Sequence, residues 1–164
     1  MSQVSEEVVH GQGYDCFAAG PMESWMRFRL APPETPLPAR GKYFLRKYLN
    51  SDGLEMSINA LPAGREMPFV HRHKENDEIY YVIQGQGQFQ AGPDVFDVSE
   101  GFFIRLSPEV PRVWRNNSEE PLYYLVIQYR ADSCVTGTIQ DGERLEDYPI
   151  AWKAESDHDA PHGP

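Results

Sequence analysis

No stretch of this 164-residue chain approaches the apolar length of a membrane span, so the sequence predicts neither a helical transmembrane protein nor a membrane partner. Cysteine is nearly absent. The two present, Cys16 and Cys134, lie far apart and form no metal-type or redox-type spacing, so nothing in the sequence supports a disulfide and free, reduced thiols are expected. The opening stretch "MSQVSEEVVHGQGYDCF" lacks the apolar core of a secretory signal and carries two early acids, and a cytoplasmic location is the expectation. Basic residues are also short: 15 Lys and Arg stand against 25 Asp and Glu, a net charge of −10. A phosphate backbone needs basic patches, so no nucleic-acid partner is expected. There is no internal repeat. One domain with a real core is the default at this length, and a composition of 40% hydrophobic and 24% charged residues is that of an ordinary globular chain.

The pattern changes along the chain. Residues 1–53 read as an N-terminal arm with one short helix, packed on the barrel-forming region. Within it, "SWMRFRL" alternates Trp25, Arg27 and Arg29 against Met26, Phe28 and Leu30, which predicts a half-buried strand. "APPETPLPARG" carries Pro32, Pro33, Pro36 and Pro38, which fix φ and remove backbone donors, so an extended connector is expected. "KYFLRKYL", residues 42–49, has Tyr43, Phe44, Lys47 and Tyr48 at helical spacing. Residues 54–130 then break into many short strand-like runs separated by Gly and Pro: "LEMSINAL", "IYYVIQ", "GQGQFQA", "VFDV", "GFFIRL", "VWRN" and "LYYLVIQYR". That spacing predicts an all-β antiparallel barrel or sandwich. Residues 131–164 read as an acidic extension. Positions 141–164 hold seven acids against Arg144 and Lys153, and the final "AESDHDAPHGP" has little to bury and reads as a disordered tail, with His158 and His162 as solvated residues.

The chain has five histidines and places two of them one residue apart in "HRHKENDEIYYVIQG". Residues two apart in a strand share a face, so His71 and His73 point the same way. "KENDE" makes a polar turn, and the next strand starts at Glu78. There Glu78, Tyr80, Val82 and Gln84 share one face. If that face points inward, two imidazoles and a carboxylate converge. Such a set suits iron, manganese, nickel, copper or zinc and leaves coordination positions open.

The stretch resembles the first motif of the cupins: glycine, five residues, His-x-His, three or four residues, Glu, six residues, glycine. Here His71, His73, Glu78 and Gly85 keep the pattern, and Gly64 precedes His71 by one residue more than the motif has. "GFFIRLSPEVPRVWRN", Gly101 to Asn116, is similar to the second motif: glycine, five residues, Pro-x-Gly, two residues, His, three residues, Asn. Counting forward from Gly101 and back from Asn116 puts the histidine position on the same residue, and that residue is Arg112. Pro108 falls one place late, and the motif's second glycine has no counterpart. The two motifs cover Gly64 to Asn116, about a third of the chain. The resemblance to small single-domain bacterial cupins implies a jelly-roll (cupin) barrel, a pocket near His71 and a homodimer. It implies no particular substrate.

Arginine is not an ordinary metal ligand. A guanidinium about 4 Å from a divalent ion is repelled by roughly 8 kcal/mol at an effective dielectric near 20. Arg112 therefore has four possible placements: paired with Glu78 in place of a metal, turned away from a three-ligand site, beside the metal gripping an anionic substrate, or on the surface with Trp114 stacked on it. The candidate metal ligands are His71, His73 and Glu78. The candidate ligand-binding residues are Arg112, Tyr80, Gln84 and Trp114. Two functions stay open. One is a metal-dependent enzyme of dioxygenase, isomerase, lyase or cyclase class. The other is a metal-free module that binds or senses a small ligand, with Arg112 as its anion anchor.

Overall fold

From residue 54 onward the alternating runs form antiparallel strands. The computed structural model describes residues 7–31, 38–134 and 136–154. Five short strands come first: β1 (Glu7–His10), β2 (Asp15–Ala18), β3 (Arg29–Leu30), β4 (Ala39–Arg40) and β5 (Lys42–Phe44). After the one-turn helix α1 (Arg46–Leu49) come β6 (Leu54–Leu61), β7 (Asn76–Gln84), β8 (Gln86–Ala91), β9 (Asp94–Ser99), β10 (Phe103–Leu106), β11 (Arg112–Arg115) and β12 (Leu122–Arg130). The larger sheet has the order β10-β7-β12-β6-β5, the smaller β11-β8-β9, and β1–β2 and β3–β4 are separate hairpin-like pairs. All pairings are antiparallel. The protein is thus all-β, with the double-sheet jelly-roll architecture expected of its strand pattern.

The two sheets close on a shared core. Tyr80, Val82, Tyr124 and Val126 come from the larger sheet and meet Phe89, Val98 and Trp114 from the smaller one. Each such buried side chain contributes about 1.5–3 kcal/mol by leaving water. A second core lies on the opposite face of the larger sheet. There Trp25, Phe28 and Leu45 of the N-terminal segment pack on Ile58, Ala60 and Tyr123. Trp25 meets Tyr123 edge-on at 6.1 Å, and Phe28 stacks on Tyr43 at 4.3 Å. Alternation along β6 and β12 therefore sends one set of residues into the barrel and the other set under the N-terminal segment.

Two local expectations need correction. "SWMRFRL" is not one strand. Met22–Arg27 forms a 3-10 turn after Pro21, and only Arg29–Leu30 is extended. Trp25 and Phe28 are both buried, and their three-residue separation suits a 3-10 turn rather than a two-residue period. "KYFLRKYL" splits in two: Lys42–Phe44 extends the large sheet by pairing with β6, and only Arg46–Leu49 is helical. Pairing with an existing edge outweighs helical spacing in so short a run. The connector positions 32–37 and the tail positions 155–164, with His158 and His162, lie outside the described residues.

Gly85 and Gly101 are needed for their conformations. Gly85 has φ +94°, and a Cβ there would lie 2.6 Å from the Pro121 carbonyl oxygen. Gly101 has φ +83° in the turn between β9 and β10. Only glycine enters these regions without strain. Contacts divide the chain into a unit of residues 1–133 and a second unit from Cys134. Among its described residues the second unit has turns and the one-turn helix α2 (Ala151–Ala154), and it exposes Ile139, Leu145, Tyr148 and Trp152. Both cysteines are free and exposed. No helix among the described residues is long and apolar enough to cross a membrane.

Candidate functional site

The segment before β7 runs antiparallel along β11 as an interrupted edge. Met67 N–H donates to the Trp114 carbonyl (3.0 Å), and Asn116 N–H donates to that of Arg65 (2.7 Å). His71 and Arg112 exchange both backbone hydrogen bonds, at 3.1 and 2.8 Å. Bridges join Glu66 to Arg115 and His71 to Arg112, so five steps on one side oppose three on the other. The surplus bulges at Pro68–Val70, where Pro68 has no donor to offer and Val70 is exposed. The bulge absorbs the extra residue between Gly64 and His71. Because His71 and Arg112 form a directly opposed pair, their side chains lie on the same face.

His71, His73 and Glu78 converge there, with one potential ligand atom from each lying within 4.8 Å of the others. Nε2 of His73 is 2.9 Å from Oε1 of Glu78, yet the geometry is not that of a hydrogen bond. Nδ1 of His71 and Nε2 of His73 are both buried and without a hydrogen-bond partner. The other carboxylate oxygen of Glu78 is engaged: Tyr80 donates its hydroxyl to Oε2 at 2.8 Å, and Nε of Arg112 lies 3.5 Å from the same atom.

The electrostatics arise from these contacts. Burial alone raises the Glu78 carboxyl, but the adjoining His73, the Tyr80 hydroxyl and Arg112 outweigh it and hold it below the usual range. Burial pushes His71 down, with the Glu78 carboxylate partly opposing, so its imidazole is neutral near pH 7. Burial, reinforced by Glu78, keeps the Tyr80 phenol well above its ordinary value and therefore a hydrogen-bond donor. The result is two imidazole nitrogens without hydrogen-bond geometry, that of His73 in close contact with an ionised carboxylate. Those are the donor types that a transition ion takes, and buried polar atoms without partners are costly unless something binds them.

The other expected site residues separate into neighbours and outsiders. Arg112 is completely enclosed, so the surface placement is ruled out. Its Nη2 donates to the Ser107 carbonyl at 2.8 Å, while Nε and Nη1 have no hydrogen-bond partner. Trp114 is a buried wall. Its ring centroid is 5.8 Å from that of His71, and its indole donates to Tyr124 Oη at 3.0 Å. Gln84 is exposed at the far end of β7, six residues from Glu78, and does not join the cluster. Asn116, the frame residue of the second motif, is structural: its amide donates to the carbonyls of Leu61 and Glu120 at 3.0 and 2.7 Å.

The motifs did not reveal a polar row across the barrel from this cluster. Ser57 and Asn59 of β6 are almost fully buried on the same face as Leu61, which packs into the inner core. Lys42 pairs opposite Asn59 and donates its amine to Asn59 Oδ1 (3.0 Å) and Ser57 Oγ (3.1 Å). In the sequence, the alternation of "LEMSINAL" marks Ser57 and Asn59 as the polar face but cannot show that this face is the inner one. A cleft of about 770 Å³ opens at the same end, lined by Phe44, Glu55, Asn76 and Gln128. The His71–His73–Glu78 cluster does not itself line it, but Gln128 pairs directly opposite Glu78.

Fold and site together define a double-sheet β-barrel protein with two imidazoles and a carboxylate gathered on its inner face. The family model described as "Cupin domain" matches residues 58–128. A cupin protein from Bacteroides fragilis shares 36% identity, over 63% of this chain and 88% of its own, with a TM-score of 0.61. The chain belongs to the cupin superfamily. An uncharacterized conserved protein with a double-stranded β-helix domain from Klebsiella pneumoniae has the same fold, with a TM-score of 0.52 at 15% identity over 70% of this chain and 90% of that one. The uncharacterized protein MJ1618 of Methanocaldococcus jannaschii is 30% identical over 69 residues, 42% of this chain. The chain spans about half (54%) of the length of that curated relative.

Proposed function

We propose that the protein is a small-molecule-binding cupin that holds a divalent transition metal (iron, manganese, nickel, copper or zinc) through His71, His73 and Glu78. The reaction class is that of the metal cupins: dioxygenase, isomerase, lyase or cyclase. The observation that carries this reading is the pair of buried, unpartnered atoms His71 Nδ1 and His73 Nε2 beside an ionised Glu78. A bound ion supplies Lewis acidity, polarising a ligand oxygen or activating water or dioxygen. The chain's own residues supply the rest. Tyr80 ties down Oε2 of Glu78 and leaves Oε1 on the His73 side. Such outer hydrogen bonds orient a ligating carboxylate. Trp114 and Tyr80, with ring centroids 5.0 Å apart, wall off the core side from water.

One observation favours a second reading, a metal-free module that binds or senses a small anionic ligand. Arg112 lies beside Glu78 with Nη1 uncommitted, so the guanidinium can neutralise the carboxylate or grip a ligand anion. Metal analysis of the untagged, purified protein separates the two. The metal reading expects about one ion per chain, lost in His71→Ala and His73→Ala variants that still fold. A folded parent that carries no ion and takes none up in titration leaves the metal-free module.

The same reading includes a homodimer in the cytoplasm. Phe103 is 68% exposed on edge strand β10 and stacks on Tyr81 at 4.3 Å, an apolar surface of the kind that a second copy covers. A monomeric mass at micromolar concentration contradicts it.

A further inference from the structure

Lys42 is a cation inside the barrel with no ion-pair partner among the described residues. It lies on β5 opposite Asn59, so its side chain shares the inner face with Ser57 and Asn59. Both of its hydrogen-bond partners are neutral oxygens, and no carboxylate lies within ion-pair distance of it among the described residues. An ammonium has three donors; two meet these oxygens, and the amine also lies 4.8 Å from the centre of the Phe44 ring, a cation–π contact that leaves its charge unneutralised. Burial is the main influence on it and lowers its pKa to about 8, with Glu78 and Glu55 pulling the other way. A half-buried amine without an anion is costly to keep, and such groups concentrate at binding sites.

Arg112 differs from it in both respects. Its charge is met by Glu78 at 3.5 Å, and it is fully enclosed, whereas Lys42 retains exposure. Phe44, one row nearer the barrel mouth on the same face as Lys42, lines the 770 Å³ cleft, with Arg29, Arg46 and Lys47 set against Asp52 and Glu55 around it; Lys42 lies one row behind this lining. Three cations against two carboxylates leave this cleft slightly positive on a chain of net charge −10, which favours anions there.

We propose that Lys42 is the anion-binding residue of the barrel pocket, so that the ligand carries a carboxylate or a phosphate at the β5–β6 side while the rest of it extends towards the His71–His73–Glu78 cluster. This rests on the reading of the barrel as a ligand pocket. Ser57 and Asn59 hold the amine in place, and the anionic group takes its third donor in exchange for the Phe44 ring contact. An ammonium is a point charge and accepts either anion.

The test is calorimetric titration of the full chain with malonate and with inorganic phosphate, both after chelator dialysis and after zinc loading. The parent is expected to bind one of the two probes, and which one binds more tightly identifies the anion class. Lys42→Met is expected to weaken that binding at least tenfold and to keep its zinc. His71→Ala is expected to lose zinc and keep probe binding in the metal-free state. A second measurement needs no variant: the bound probe should slow reductive methylation of Lys42 relative to exposed Lys74, read by peptide mass spectrometry. Probe binding by a folded Lys42→Met within twofold of the parent overturns the proposal. So does a parent that binds neither probe and whose Lys42 is methylated equally fast with and without them. A parent that binds malonate through Lys42 but takes up no zinc supports this inference and removes the metal reading instead.

Discussion

The two faces of the five-stranded sheet are built from the same strands and serve opposite ends. On the outer face, Ile58, Ala60 and Tyr123 lie under Trp25, Phe28 and Leu45, and this cluster is apolar. On the inner face of the same sheet lie Ser57, Asn59, Glu78 and Tyr80, all buried and mostly polar. The outer face gains stability from area removed from water. The inner polar end must match every donor and charge to a partner, and it leaves several unmatched: His71 Nδ1, His73 Nε2, and Nε and Nη1 of Arg112. A two-residue period thus lets one strand carry packing on one side and chemistry on the other. The unmatched atoms all lie on the inner side.

Substitutions on the two faces should therefore separate stability from binding. The largest effect is expected at Glu78→Gln. It removes the carboxylate that, among the described residues, lies beside Arg112, leaving a buried guanidinium uncompensated at about 3–5 kcal/mol, and it takes away a proposed metal donor. Chemical denaturation and metal titration should both respond; a variant as stable as the parent would break the claim that the two charges are coupled. Trp25→Ala should cost about 3 kcal/mol by emptying the outer core, with metal content per folded chain unchanged. If metal is lost from the folded variant, the two faces are not separable.

Arg112→His removes a positive charge beside Glu78 and offers another imidazole on the face of His71. Metal affinity should rise about tenfold, or about 1.4 kcal/mol, in a titration against the parent with the fold checked by circular dichroism. Unchanged affinity means that residue 112 does not stand in a ligand position. Tyr80→Phe deletes one hydroxyl hydrogen bond to Glu78 Oε2 and should cost about 1 kcal/mol in thermal unfolding.

The smallest effect is one of pH. The folded pKa of Lys42, about 8, lies below its ordinary 10.5, so between those values the unfolded chain binds more protons. Stability of the parent relative to Lys42→Met should therefore climb as pH rises through that window, by about 0.5–1 kcal/mol after solvent screening of a partly exposed group. A flat difference from pH 7 to 10.5 would mean that the amine is not desolvated.

Much of the architecture is open to inspection in the chain itself. The strand runs from "LEMSINAL" to "LYYLVIQYR" declare their period over a few residues, and the turns between them are marked by Gly and Pro, so the all-β class comes from local chemistry. The convergence of His71, His73 and Glu78 has the same origin, because a strand face repeats every second residue and a short polar turn returns the chain beside itself. The double count to residue 112 located a side chain that the backbone does hold on the face of His71. Short runs such as "SWMRFRL" were ambiguous because so few residues cannot outvote the surface they pack on. What only the tertiary structure decided was which side of each strand became the interior. The polar side of "LEMSINAL" has the pattern of a solvated face, and Lys42 that of an ordinary surface lysine. Both are turned inward because Trp25 and Phe28, outside these strands, cover the apolar side. A period is a local property of a chain, whereas the choice of face depends on which distant surface arrives to cover it.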